Sequence, residues 1–251
     1  MSAPPAEFDR FARDYARLHA ASIAAGGEEP AYYAEYKLRR IERLVGARFR
    51  EPILDYGCGV GTLLALLARR FPRVEGFDPS RESLALARER APGCRLHDDR
   101  EVLPRGTFGL VVLACVLHHV PPPARPAVLA HVRGLLRPGG RVIVFEHNPA
   151  NPLTRRAVAL CPFDQGVELL WPGETRARLR EAGFEHVHCE HIVFFPRALA
   201  RLRFLEPSLR RIPLGAQYEV VAAASPGAGL PSGRARRTLS GGRGVLPPEE
   251  T

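Results

Sequence analysis

The sequence of 251 residues lacks the marks of a membrane-spanning or secreted protein. It has no run of about 18 consecutive apolar residues, the length that a membrane-spanning helix needs. Residues 1–14 include acidic side chains and no apolar stretch, so they do not resemble a secretory signal. The five cysteines are odd in number and far apart, which excludes a disulfide framework and a paired-cysteine zinc site. We therefore expect a cytoplasmic protein.

Lysine is almost absent, since Lys37 is the only lysine among 36 basic residues and the others are arginines. The formal net charge is +9, but the arginines are spread along the whole chain. No basic stripe alternates with aromatic residues, as a groove for single-stranded nucleic acid would require. Nucleic acid is therefore not expected as a partner. The hydrophobic fraction of 45% excludes wholesale disorder.

Apolar segments of strand length alternate with segments of helix length over most of the chain. The predicted strands are 53–55, 74–77, 94–97, 110–114, 141–145, 186–194 and 217–223, and the predicted helices are 6–24, 31–48, 63–71, 80–90, 122–136 and 174–182. Such alternation with apolar strands predicts an α/β fold that is doubly wound, with a mostly parallel sheet and helices on both faces.

The residues that follow each predicted strand are the candidates for binding, because ligands of such sheets bind at the carboxyl ends of the strands. The first strand leads into a loop with glycines at alternate positions, 57–61, where a ligand can lie against the backbone. Asp78 follows the second strand, about 20 residues further on, and can accept the hydroxyls of a ribose. Asp99 follows the third strand and can accept a hydrogen bond from an adenine amino group.

The spacing of the glycines separates two kinds of nucleoside ligand. A dinucleotide fingerprint places its third glycine at position 62, which is Thr62, whereas the third glycine here is Gly61. This spacing disfavours a pyrophosphate and favours a ligand with an amino-acid portion beside Asp55. A nicotinamide-dependent oxidoreductase and a non-catalytic binding or scaffold protein remain the alternatives.

Five motifs in order resemble class I (Rossmann-like) S-adenosylmethionine-dependent methyltransferases of the small-molecule type. These motifs are Ile53-Leu54-Asp55-Tyr56-Gly57-Cys58-Gly59-Val60-Gly61, Gly76-Phe77-Asp78-Pro79-Ser80, Asp99-Arg100-Glu101-Val102-Leu103-Pro104, Val116-Leu117-His118-His119-Val120 and Leu136-Arg137-Pro138-Gly139-Gly140. The resemblance implies a seven-stranded sheet whose last strand, 217–223, is antiparallel. One departure is Gly109, where many members have aspartate after the phenylalanine that opens the fourth strand.

The resemblance also implies S-adenosylmethionine as cofactor and S-adenosylhomocysteine as product. The implied contacts are to the methionine end for Asp55, Gly57, Cys58, Gly59 and Gly61, to the ribose for Asp78 with Pro79, and to the adenine for Asp99 with the Arg100 amide. Cys115, after the fourth strand, joins this cofactor-binding set. Candidate acceptor-binding residues are Tyr33, Tyr36, Lys37, His118 and Asn148.

We divide the chain into an N-terminal helical cap (1–50), a cofactor-binding methyltransferase domain (51–224) and a disordered tail (225–251) rich in Gly, Pro, Ser and Arg. Within the domain, 147–172 and 195–214 are expected to cover the acceptor. The second of these segments is amphipathic, so it could cap the pocket, form a dimer face or touch a membrane surface. A monomer and a homodimer both remain open.

His119 is the first candidate for a general base and His147 the second, because an imidazole titrates near neutral pH. The alternative for both is a pocket-lining role. No metal is expected, since His186 and His188 would face one side of a strand while Cys189 and His191 face the other. The acceptor is a small molecule, lipophilic or sugar-containing, and its reacting atom can be oxygen, nitrogen or carbon.

Overall fold

A computed structural model of the protein describes residues 7–225, so the predicted tail lies outside the described residues apart from Ser225. The helices are α1 (Tyr15–Ile23), α2 (Pro30–Val45), α3 (Thr62–Arg70), α4 (Arg81–Arg90), α5 (Arg125–Leu135), α6 (Pro152–Leu160), α7 (Pro172–Glu181) and α8 (Glu206–Leu209). The strands are β1 (Ile53–Tyr56), β2 (Val74–Phe77), β3 (Arg95–His97), β4 (Phe108–Ala114), β5 (Leu136–His147), β6 (Phe184–Ile192) and β7 (Gln217–Ala224).

The seven strands form one sheet in the order β3-β2-β1-β4-β5-β7-β6. Strands β1 to β5 are parallel, while β7 lies between β5 and β6 and is antiparallel to both. This confirms the predicted doubly wound sheet with an antiparallel last strand. Because the strand order reverses between β1 and β4, a crevice forms at the carboxyl ends of these two strands.

Helices cover both faces because successive side chains of a strand point to opposite sides of the sheet. In β4, Val111 and Leu113 pack against α5 and α7, whereas Leu110 and Val112 pack against α2, α3 and α4. All four are completely buried, which explains why this strand is a continuous apolar run. None of the helices between residues 7 and 225 is both long and apolar enough to cross a bilayer.

Several element boundaries differ from those expected. The predicted first helix begins as two 3-10 turns, and α1 starts only at Tyr15. The Leu-Arg-Pro-Gly-Gly turn is a bulge inside β5, because Phe108 pairs with Leu136 and the next pair joins Leu110 to Arg141. Strand β6 begins at Phe184 rather than at residue 186. The sequence analysis did not predict α6.

Candidate functional site

A cavity of about 390 Å³ lies at the carboxyl ends of β1, β2 and β4, and a second of about 100 Å³ adjoins it. The two cavities share seven wall residues: His19, Ser22, Ile23, Tyr33, His147, Ala157 and Gln217. The larger cavity brings together most of the sequence-predicted site residues: Asp55, Gly57, Cys58, Gly59, Asp78, Pro79, Cys115, Tyr33, Lys37, His118, His119 and His147.

Asp55 is the penultimate residue of β1 and lies at the wall of the larger cavity, and only 1% of its surface is exposed. Its Oδ2 atom has no hydrogen-bond partner. Burial and the nearby Asp78 raise the pKa of Asp55 to about 7, although Lys37 acts in the opposite direction. A buried carboxylate with an unused oxygen is suited to a ligand that brings a hydrogen-bond donor with positive charge.

Asp78 is held at the end of β2 by two backbone amides. Its Oδ2 accepts a hydrogen bond from the Gly59 amide at 2.8 Å, and its Oδ1 accepts one from the Ser80 amide at 2.9 Å. Burial raises the pKa of Asp78, and the two amides oppose this rise. Gly59 has a φ of 51°, and a Cβ at that position would meet no atom within 4 Å. The loop therefore leaves open space next to a fixed carboxylate.

Gly61 has a role in packing rather than in lining the cavity. It has a φ of 82°, and a Cβ there would lie 2.8 Å from the Ala87 Cα. The glycine therefore allows the start of α3 to lie against α4. It is absent from the walls of both cavities, so the predicted contact with the methionine end has no support in this geometry.

Helix α2 places Tyr33 and Lys37 on the cavity wall, four residues apart on one helical face. Lys37 is 8% exposed, and no carboxylate of residues 7–225 lies within 4.0 Å of its ammonium group. Its Nζ lies 5.9 Å from the centroid of the Phe145 ring. The wall therefore carries a buried positive charge that can neutralise a carboxylate of a ligand.

A buried cluster of histidines and carboxylates occupies another part of the wall. His118 Nδ1 donates to Glu146 Oε2 at 2.6 Å, and the other carboxylate oxygen of Glu146 accepts from the Leu117 amide at 2.7 Å. His118 Nε2 lies 3.7 Å from Asp164 Oδ1. His119 Nε2 lies 3.3 Å from the same oxygen.

The cluster has one charged imidazole among neutral ones. Burial would lower the pKa of His118, but Glu146 and then Asp164 raise it to about 9. Burial and the neighbouring His118 lower the pKa of His119 to about 4 and that of His147 to about 3. At neutral pH, His119 and His147 therefore each present a ring nitrogen with a lone pair.

Arg125 fixes the loop that carries this cluster. Its side chain is completely buried, and its Nε donates to the carbonyl oxygens of Leu117 at 3.1 Å and Val120 at 3.0 Å. Its Nη2 donates to the Glu168 carbonyl at 2.8 Å. Cys115, where β4 enters the same loop, has a φ of 61°, an uncommon backbone conformation for a residue other than glycine.

Besides Gly61, four predicted site residues do not reach either cavity: Asp99, Arg100, Tyr36 and Asn148. Asp99 is exposed and accepts a hydrogen bond from the Glu101 amide at 2.9 Å. Arg100 is exposed and contacts the side chain of Glu101 at 3.0 Å. Their predicted contacts with adenine stay predictions, because the cavity ends before it reaches them.

Tyr36 and Asn148 have partners inside the protein. The Tyr36 hydroxyl donates to Glu206 at 2.8 Å. The Asn148 amide donates to the carbonyls of Pro213 at 3.1 Å and Gly215 at 2.7 Å, and its oxygen accepts from the Ala150 amide. All polar atoms of the Asn148 side chain are therefore used to hold the chain around α6, and its assignment to acceptor binding stays a prediction.

Sequence reasoning missed Glu146 and Asp164, although both lie in motifs with unusual composition, Glu146-His147-Asn148-Pro149 and Cys161-Pro162-Phe163-Asp164. It also missed Tyr15, which lines the larger cavity. The Tyr15 ring stacks on Phe163 with centroids 4.9 Å apart, so the N-terminal segment and the segment after β5 meet over the cavity. The stretch 195–214, expected to be amphipathic, exposes Phe204 and Leu214.

The sequence matches the family described as "Methyltransferase domain" over residues 30–202. Ubiquinone biosynthesis O-methyltransferase of Aeromonas salmonicida is 36% identical over 111 residues, 41% of this chain and 46% of that protein. Trans-aconitate 2-methyltransferase of Mycolicibacterium gilvum is 37% identical over 118 residues, 44% of this chain and 46% of that protein. The matched region thus spans about half the length of these curated relatives.

Solved structures agree with the fold. The crystal structure of a SAM dependent methyltransferase from Archaeoglobus fulgidus is similar with a TM-score of 0.60 and 16% sequence identity. The similarity covers 78% of this chain and 95% of that one. At this level of identity the likeness establishes a shared architecture of sheet and helices.

Proposed function

Since the chain belongs to the methyltransferase-domain family, we propose that it transfers a methyl group from S-adenosylmethionine to an oxygen atom of a small, lipophilic acceptor. Family membership favours this function over the nicotinamide-dependent oxidoreductase and over the non-catalytic binding or scaffold protein. The observation that carries the proposal is the smaller, apolar cavity that adjoins the larger one beside His147 and Gln217. An acceptor can place its reacting group in the larger cavity and its apolar part in the smaller one.

The larger cavity fits the cofactor. The unpartnered Oδ2 atom of Asp55 suits its ammonium group, Asp78 suits the ribose hydroxyls, and the open space at Gly59 admits a ligand against the backbone. Lys37 is a buried cation that can neutralise a carboxylate of the cofactor or of the acceptor. The cofactor supplies an electrophilic methyl group on a sulfonium, and these side chains bind and orient it.

The smaller cavity supports a lipophilic acceptor. Its walls are mainly apolar or aromatic and include Ile23, Tyr32, Leu153, Val193, Phe194 and Phe195. Burial of an apolar group in such a pocket contributes roughly 25 cal/mol for each Å² removed from water. An acceptor with an apolar part is therefore favoured over a purely polar one. The relative named as a ubiquinone biosynthesis O-methyltransferase is consistent with the proposed acceptor atom.

The reaction depends mainly on alignment of the acceptor oxygen with the methyl group. Correct positioning of two reactants can lower a barrier by about 7–11 kcal/mol. His119 is the proposed general base, because it lines the cavity and its imidazole is uncharged at neutral pH. It would accept the hydroxyl proton as the oxygen–carbon bond forms.

Filling the smaller cavity tests the position of the acceptor. Ala157 of α6 lines both cavities, so Ala157→Phe should raise KM for hydroxylated acceptors with an alkyl tail by about tenfold, equivalent to about 1.4 kcal/mol. The KM for acceptors that lack an alkyl tail should rise less. The measurement is transfer of labelled methyl from S-adenosylmethionine to matched pairs of phenols and carboxylic acids.

The matched control is Ala159→Phe, because Ala159 lies on the exposed face of the same helix. It should leave KM unchanged, and both variants should bind S-adenosylhomocysteine as the unchanged protein does. Equal KM values for Ala157→Phe and Ala159→Phe would contradict the acceptor position. Amines of matching shape are assayed beside these acceptors, and methylation of an amine without methylation of any hydroxyl or carboxyl group would contradict the proposed acceptor atom.

Removal of the proposed base should slow the reaction. His119→Ala is expected to lower kcat by about a hundredfold, the lower end of the usual range for a positioned general base. The dissociation constant of S-adenosylhomocysteine should change by less than about threefold. His131→Ala, which changes a histidine on α5 away from both cavities, is the control and should keep full kcat. An unchanged kcat in His119→Ala would remove the general-base role.

A further inference from the structure

Three metal-ligating side chains from distant parts of the sequence meet at the cavity wall. His118 follows β4, His147 ends β5, and Asp164 lies in the turn after α6. The donor atoms of these three side chains lie within 4.8 Å of one another. A tetrahedral zinc ion has ligands about 2.0–2.1 Å away, so its donors lie roughly 3.3 Å apart. Small side-chain rotations that move the donor atoms by about an ångström would bring the three donors to that spacing.

Two of the three donor atoms are buried without a hydrogen-bond partner. These atoms are His118 Nε2 and Asp164 Oδ1, and the side chains that carry them are 1% and 7% exposed. The two atoms are 3.7 Å apart, which is too far for a hydrogen bond between them. An unsatisfied buried polar group costs about 1–3 kcal/mol, so a ligand that pairs with both atoms would remove a substantial cost.

Glu146 orients His118 in the way that metal-ligating histidines are usually oriented. Its carboxylate accepts from His118 Nδ1 at 2.6 Å, which directs the other ring nitrogen, Nε2, toward Asp164. Metal-bound histidines commonly donate their second nitrogen to such a carboxylate. Glu146 is completely buried and is itself fixed by the Leu117 amide. An ion that binds His118 Nε2 would displace the proton from that nitrogen, and the two carboxylates of the cluster would then stabilise the ion electrostatically.

We propose that His118, His147 and Asp164 bind one divalent transition-metal ion, with Glu146 as the residue that positions His118. Two imidazoles and one carboxylate form a ligand set typical of zinc sites that keep an open position. The site lies on the wall of the larger cavity, so that position would face the acceptor rather than the core. This inference goes beyond the proposed function, because binding of the ion does not depend on the acceptor.

The site was not expected from the sequence, where only the histidines and the cysteine between residues 186 and 191 were considered as ligands. Those residues provide a surface site with which metal binding by the buried cluster can be compared. His188 is exposed and lies 3.4 Å from Glu190, so it can bind added metal weakly at the surface. A test must therefore distinguish the buried cluster from this strand.

Cobalt(II) is the probe, because its visible absorption reports the number and type of ligands. The purified full-length protein, first treated with a chelator, is titrated with Co²⁺ by absorption and by equilibrium dialysis. We expect one tightly bound ion for each chain. Asp164→Asn and His147→Gln should each weaken binding by more than tenfold, and Glu146→Gln should weaken it by about 10- to 100-fold.

His188→Gln is the matched control and should keep the tight site. Binding of S-adenosylhomocysteine and circular dichroism show whether each variant is folded, and His147→Gln decides if Asp164→Asn does not fold. The proposal is overturned if the protein takes up no Co²⁺ or if only His188→Gln abolishes uptake. It is also overturned if Asp164→Asn and His147→Gln bind as tightly as the unchanged protein. None of these measurements requires an acceptor, so a wrong choice of acceptor cannot imitate failure of the metal site.

Discussion

Replacement of Asp55 by asparagine is expected to weaken binding of S-adenosylhomocysteine at pH 8 by at least about 30-fold and to stabilise the free protein. The first effect follows because loss of one partner from a buried charge pair costs about 2–5 kcal/mol. The second follows because burial and Asp78 raise the pKa of Asp55 from 3.8 to about 7. Above pH 7 the free protein therefore holds an ionised carboxylate where the folded state disfavours one.

The pH dependence has a defined sign. Since the pKa of Asp55 is higher in the folded than in the unfolded chain, its contribution to stability is most favourable below pH 4 and is lost as the pH rises to about 7. Asp55→Asn should therefore raise the free energy of unfolding by roughly 2 kcal/mol at pH 8 and change it little at pH 4. Urea unfolding at both pH values and calorimetry with S-adenosylhomocysteine measure the two effects.

Asp98→Asn is the control, because Asp98 is exposed and pairs with Arg81 at the surface. It should alter neither the affinity nor the stability measurably. The other ionisable groups that interact with Asp55 include Lys37, Asp78, Cys58 and Cys94, and all four remain in the variant. Retention of full affinity by Asp55→Asn would contradict the assignment of this carboxylate to the cofactor.

The sheet and the cofactor loop were predictable because each depends on residues close together in the sequence. The run of four apolar residues at Leu110–Leu113 predicts a strand that is buried on both faces, and the structure confirms this. The glycines at positions 57, 59 and 61 predict a backbone with unusual dihedral angles, and all three have a positive φ. Such signals do not require knowledge of the rest of the fold.

The histidine cluster could not be predicted in the same way. His118 and His147 are separated by the whole of α5 and β5, and Asp164 follows α6, which the sequence analysis did not identify. Only the parallel pairing of β4 with β5 brings the first two together. A signal for α6 was present, since Asn151 caps the helix by accepting from the Thr154 amide and Pro152 occupies its first turn.

The position of α2 on the sheet also depends on a contact between residues far apart in the sequence, which no local sequence pattern predicts. Arg40 of α2 is 8% exposed, and its Nε donates to Glu219 of β7 at 2.8 Å. The same guanidinium contacts Glu190 of β6. Because Tyr33 and Lys37 lie on the same helix, this ion pair fixes the rotation of α2 and so the position of the cavity wall.

Replacement of Arg40 by leucine is expected to lower the free energy of unfolding by about 3–5 kcal/mol. The reason is that Glu219, only 5% exposed, would remain as a buried carboxylate without its main partner. For a chain of this size, the loss corresponds to a fall in Tm of roughly 10 °C. Thermal and urea unfolding measure it.

Arg39→Leu is the matched control, since Arg39 is adjacent on the helix, half-exposed and 3.8 Å from Glu35 in an ordinary surface pair. It should change the stability by less than about 0.5 kcal/mol. Adding Glu219→Gln to Arg40→Leu should recover part of the loss, because the uncompensated charge is then removed. If Arg40→Leu and Arg39→Leu unfold at the same temperature, α2 is not held by this buried ion pair, and packing of Ile41 against the sheet must hold it instead.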